Sequence, residues 1–168
     1  MTPGHDRPST TRVEMSVRLE VSTEIAAPID LVWNVLADWE GQSRWIPLTT
    51  VRVLTAHREG LGVRATALSG FWLGSLPIGL LDRFIVTGWS PPDGHHAELE
   101  ILHLGPYFTG EGVFTLRGHA GGTTVDCTEL FTVPGWRLGE GLATLALPIL
   151  RVGFARSLQA LADVAAAT

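Results

Sequence analysis

From position 16 to 25 apolar and polar side chains alternate, with Val17, Leu19, Val21, Thr23 and Ile25 in one phase and Ser16, Arg18, Glu20, Ser22 and Glu24 in the other. A period of two sends successive side chains to opposite faces, which predicts a strand buried on one side. Pro28 and Asp30 suit a helix amino end, and Leu31, Val32, Val35 and Leu36 give that helix an apolar stripe before it stops near Asp38. A second short helix or turn is expected over 40–45, leading into Ile46-Pro47. Further strands are expected at 50–57, 62–69, 82–89, 95–104, 107–117 and 123–133. Turn signals separate them at Arg58-Glu59-Gly60, Pro91-Pro92-Asp93-Gly94, Gly105-Pro106 and Ala120-Gly121-Gly122.

The period changes over 138–166. Leu138, Leu142, Leu145, Ile149 and Val152 recur at three- and four-residue spacing, and Leu147, Leu150, Phe154, Leu158 and Leu161 form an adjoining stripe. This predicts a long helix with a wide apolar face, kinked or broken near 146–147 because Pro148 removes a backbone bond and clashes with the preceding turn. Such a helix needs cover, and so does the apolar face of an antiparallel sheet. The pattern therefore implies a sheet that wraps the C-terminal helix.

Residues 70–81, GFWLGSLPIGLL, carry no charge, yet Gly74, Pro77 and Gly79 punctuate them like a hairpin tip. Two readings follow. The segment folds back over the core, or its part from Trp72 to Leu80 is an apolar lid or a contact for a membrane or partner.

A length of 168 residues suits one domain, expected at 15–168 behind a disordered leader at 1–14. The hydrophobic fraction of 45% and charged fraction of 17% exclude a disordered chain. A net charge of −5 with no basic cluster argues against nucleic acid as a partner. Cys127 is the sole cysteine, so an internal disulfide is impossible and a reducing cytoplasm is the expected location. The N-terminal residues lack a signal-peptide core, and the most apolar window, 142–155, is interrupted by Pro148 and Arg151.

The order β-α-α-β6-α, with Pro28 opening the first helix, Asp38 and Trp45-Ile46-Pro47 closing the helical pair, Pro91-Pro92 between strands and a long terminal helix, resembles the START-related, birch-pollen-allergen-like superfamily (SRPBCC). Within it the chain is similar to the polyketide cyclase/dehydrase and lipid-transport group. The resemblance implies an α+β helix-grip fold: a seven-stranded curved antiparallel sheet around a long C-terminal helix, with an apolar cavity between them. It also implies a small hydrophobic ligand, held for transport or for reaction.

The residues support a hollow independently. Ala65, Ala67 and Ser69 share one phase of their strand, and Gly110 and Gly112 lie among Phe108, Phe114 and Leu116. Small residues facing a helix leave volume unless neighbouring aromatics fill it. His103 shares its phase with Leu99 and Ile101, and Glu129 with Val125, Cys127 and Phe131, so both are candidates to point inward as acid and base. The alternative for this pair is a satisfied buried contact without chemistry. Only one of Tyr107 and Phe108 can face in. Cys127, with no basic neighbour in sequence, reads as a core residue, and the six histidines form no metal pattern, so neither metal nor cofactor is expected. The expected ligand-binding residues are Trp45, Phe71, His103, Phe108, Phe114, Glu129, Leu145 and Ile149. The expected function is binding or transport of a lipid- or polyketide-like molecule, with a cyclase or dehydratase using His103 or Glu129 as the alternative.

Overall fold

The computed structural model describes the backbone of residues 15–73, 76–133 and 139–168 and the side chains of residues 17–70, 78–132 and 148–168. The expected leader at 1–14 lies outside them. Strand β1 (Met15–Ile25) leads into helix α1 (Ile29–Ala37) and a single 3-10 turn (Glu40–Arg44). Six strands follow: β2 (Thr49–Val53), β3 (Arg64–Leu73), β4 (Leu76–Asp93), β5 (His96–Pro106), β6 (Thr109–His119) and β7 (Gly122–Val133). Helix α2 (Gly139–Ala166) comes last. The strands form one antiparallel curved sheet in the order β1-β7-β6-β5-β4-β3-β2. This is the α+β helix-grip architecture expected from the sequence.

Local chemistry explains the elements. Pro28, with φ −59°, opens α1, and its carbonyl accepts from the backbone N–H groups of Leu31 and Val32. Val32, Trp33, Val35 and Leu36 turn α1 inward. The pairing of β4 with β5 shifts register three times, between Asp82 and Phe84, Val86 and Gly88, and Ser90 and Asp93. Such irregularities bend and twist a strand, which lets a long hairpin curl.

Several expected boundaries move. The hairpin expected at 70–81 is there, but strand pairing reaches far into it: β3 runs through Leu73 and β4 begins at Leu76, with Gly70 paired to Gly79 and Trp72 to Pro77. A Cβ on Gly70 would stand 2.2 Å from the Ile78 carbonyl oxygen, so the two backbones need glycine there. Pro91 and Pro92 lie inside β4, not in the turn. They occupy the register shift after Ser90, where the ladder asks for no N–H, and the turn falls at Gly94-His95. Strand β2 stops at Val53 instead of continuing to His57.

Helix α2 is continuous across Pro148, so the expected break does not occur. Its burial is also uneven. Leu158, Leu161, Ala162 and Ala165 are buried and belong to the core, whereas Ile149 is 74% exposed and Leu150 and Val152 are also exposed. The helix packs on β1 and α1 and, more lightly, on the 3-10 turn. The buried residues of its C-terminal half join the core, and the described side chains at 149, 150 and 152 do not.

The core fills the other end of the molecule. Trp33 and Trp89 meet edge to face at 5.0 Å, Trp39 lies 5.4 Å from Phe84, and the Trp39 indole donates to the Arg58 carbonyl. Among the described residues no helix is long and apolar enough to cross a membrane.

Candidate functional site

Between the concave face of the sheet and α2 lies a cavity of about 940 Å³. Leu36, Trp39, Trp45 and Ile46 wall one side; Phe84, Leu99, Ile101, Phe114 and Phe131 come from the sheet and Phe108 from the connection between β5 and β6; Ile149, Leu150 and Phe154 come from the helix. The wall is predominantly apolar. Period-two alternation places the sheet residues, because Ala97, Leu99, Ile101 and His103 face inward on β5 and Val125, Cys127, Glu129 and Phe131 do so on β7.

One polar chain interrupts this wall. The Nδ1 of His103 bonds to Oδ2 of Asp82 at 2.7 Å and its Nε2 to Oε2 of Glu129 at 3.2 Å. His103 is 7% exposed and Glu129 2%. The three residues sit on β4, β5 and β7, and β5 and β7 are not neighbours. Contact across the intervening strand is possible because β6 presents Gly110 opposite His103 and Gly112 opposite Glu129, leaving no side chain between them. The sequence pattern supplied His103 and Glu129, and the structure brings them into contact.

Burial opposes the charged imidazole and is the largest single influence on it. The hydrogen bonds and charges of Asp82 and Glu129 outweigh burial together and raise His103 to about 9. At neutral pH the ring is therefore an imidazolium whose two N–H groups both donate. Burial also raises the proton affinity of Glu129, against the pull of His103. Phe108 and Phe131 stand 5.2 and 5.7 Å from the His103 ring, close enough for their π faces to favour the cation. Phe131 continues to Phe154 at 6.4 Å and so ties this tier to α2.

The remaining expected residues divide plainly. Trp45, Phe108, Phe114 and Ile149 line the cavity together with His103 and Glu129. Ile149 does so at the mouth. The side chains of Phe71 and Leu145 lie outside the described residues. Tyr107 is 56% exposed, so Phe108 is the member of that pair that faces in. Cys127 is buried, and burial, helped by the Glu129 charge, pushes its thiol above the usual range, which suits a core residue. Among the described residues no group of three or more His, Cys, Asp or Glu is arranged to hold a metal. Both ring nitrogens of His103 are already turned to carboxyl groups.

Sequence reasoning missed Asp82, Phe131 and Phe154. Asp82 shares the parity of Phe84 and Val86, which are buried, and that phase was the available signal.

Comparison with known proteins adds to this geometry. Residues 16–166 match the family model described as polyketide cyclase/dehydrase and lipid transport. No curated protein sequence matches the chain. Among solved structures, TTHA0849 from Thermus thermophilus is similar with a TM-score of 0.69 at 18% identity, over 90% of this chain and 98% of that one. SA2116 from Staphylococcus aureus, a protein of unknown function, gives 0.69 at 10% identity, over 92% and 96%. The Zhui aromatase/cyclase from Streptomyces sp. R1128 gives 0.64 at 21% identity, over 90% and 94%. At these identities the likeness is one of fold.

Proposed function

Since the chain belongs to the polyketide cyclase/dehydrase and lipid transport family, we propose that it binds a small hydrophobic molecule, lipid- or polyketide-like, between its sheet and its C-terminal helix. The observation that carries this reading is the cavity of about 940 Å³ with its apolar wall. A guest burying on the order of 300 Å² of apolar surface there gains about 7 kcal/mol, against about 1 kcal/mol for a neutral hydrogen bond. Apolar burial thus supplies affinity, and the few polar groups supply orientation. Mass spectrometry of small molecules extracted from the purified protein tests the reading. Recovery of one lipophilic compound at near-equal molar ratio supports it, and failure of every lipophilic compound to bind in reconstitution rejects it.

The Asp82–His103–Glu129 chain favours a second reading, an acid–base step on the bound molecule of the cyclisation or dehydration type. His103 holds a proton at neutral pH and donates to Glu129, whose proton affinity burial raises, so the Glu129 carboxyl can exchange a proton with a guest lying against it and His103 can resupply it. Loss of turnover with retained binding in Glu129→Gln or His103→Ala supports this reading. Wild-type turnover in both variants removes it.

Contact with a lipid surface through the 72–80 hairpin, from Trp72 to Leu80, belongs to the same proposal. Exposed Ile78, Leu80 and Leu81 support it, and Leu80 also lines the cavity.

A further inference from the structure

Among the described residues, the charged side chains that line the cavity are Asp82, His103, Glu129 and Arg156. The first three are closed into the bonded chain across the sheet, with both ring nitrogens of His103 turned to carboxyl groups at 2.7 and 3.2 Å. Arg156 stands apart. It comes from α2, it is exposed, and among the described residues it makes no ion pair, whereas Arg18, Arg44, Arg58 and Arg117 are each bound to a carboxylate. It shares one stripe of the helix with Ile149 and Gly153, which also line the cavity and are also exposed. A Cβ on Gly153 would meet nothing within 4 Å, so the space beside that stripe is open. Side chains on a helix lean toward its N-terminus, which directs Arg156 over the turn that holds Gly153.

These placements sort guests by charge. An anion pushed to the inner end loses its water and meets two carboxyl groups and an imidazole whose N–H groups are already engaged. At the rim it keeps part of its hydration and meets a guanidinium, whose planar fork suits a carboxylate or a phosphate. Exposed Leu48, Leu80, Ile149 and Leu150 line the same cavity, and among its exposed described residues Arg156 alone is charged. The net charge of −5 disfavours anions over the molecule as a whole, so a preference for them has to arise locally.

We infer that the cavity takes an anionic amphiphile, its apolar body between sheet and helix and its carboxylate or phosphate head on the Arg156 guanidinium at the mouth. The inference rests on the binding function proposed above and adds the charge and orientation of the guest. Isothermal titration at neutral pH with four ten-carbon probes, below their micelle thresholds, tests it: decanoate, decyl phosphate, decanol and decylamine. At least one anion should bind about five- to tenfold tighter than decanol, between the worth of an exposed ion pair and that of a charge-assisted hydrogen bond, with decylamine no tighter than decanol. The tighter anion identifies the head as carboxylate or phosphate. Arg156→Gln should remove the preference and leave decanol unchanged, and Arg156→Lys should keep part of it. Arg151→Gln, which removes an exposed arginine of the same helix that does not line the cavity, should keep it whole. Decanol or decylamine binding as tightly as both anions overturns the inference and leaves the apolar-binding function standing. A preference that survives Arg156→Gln also overturns it, as does one that falls equally in Arg151→Gln, where net charge and not the local pair acts. Binding by none of the four overturns both.

Discussion

Gly112 stands directly beneath the Glu129 carboxylate, where a Cβ would lie 2.7 Å from Oε2 and 2.8 Å from Oε1. The absent side chain is what lets Glu129 lie over β6 and reach His103. Gly112→Ala should push the carboxylate off the imidazole and lower stability by about 1–3 kcal/mol in urea denaturation, the usual cost of overpacking. Gly153, whose added Cβ would meet nothing within 4 Å, is the control. There alanine should raise stability by about 0.5–1 kcal/mol through helix propensity. An unchanged Gly112→Ala protein would contradict the geometry.

His103 ties stability to pH. Its folded value of about 9 exceeds the ordinary 6.5, so its contribution is fully present below 6.5 and disappears as the pH rises through 9. The shift corresponds to at most about 3 kcal/mol. Denaturation between these pH values should show the decline in the wild-type protein and a much flatter profile in His103→Gln. An NMR titration of the His103 ring with its midpoint near 6.5 would refute the two-carboxyl environment.

Packing and polar anchoring make separable contributions to ligand affinity. Phe114 is buried and lines the cavity, so Phe114→Ala removes apolar contact worth about tenfold in affinity for an apolar probe. His103→Ala should cost less, because its nitrogens are already engaged within the protein. The reverse ranking in a binding titration would assign affinity to the polar chain.

The apolar hairpin makes its own prediction. Ile78→Glu combined with Leu81→Glu should reduce co-sedimentation with phosphatidylcholine vesicles several-fold while leaving the melting temperature within a few degrees, since both side chains are exposed. Unchanged sedimentation would count against membrane contact.

Strands β1, β5 and β7 were readable from alternation alone, because each buries one face and a one-residue slip would expose every core side chain. That phase also turned His103 and Glu129 inward. Asp82 escaped because Gly74, Pro77 and Gly79 beside it resemble a loop tip, whereas Pro77 and Gly79 sit in a continuous ladder, with Gly79 enabling a close backbone approach. Periodicity likewise found the apolar stripe of α2 but not what stands opposite it. Ile149 and Val152 repeat like core residues and are exposed, and Ile149 borders the cavity instead of packing in the core. The contact of His103 with Glu129 across an intervening strand depends on three strands in register, which no local pattern carries.

The central claim is an apolar cavity between sheet and helix. Ala67 lines it on β3, opposite Asp82, and Ala67→Phe should fill part of it. Fluorescence titration with the neutral apolar dye N-phenylnaphthylamine should give saturable one-to-one binding to the wild-type protein and at least about tenfold weaker binding to Ala67→Phe at equal melting temperature. Equal dye affinity in the two proteins, or no saturable binding to the wild type, would contradict the account.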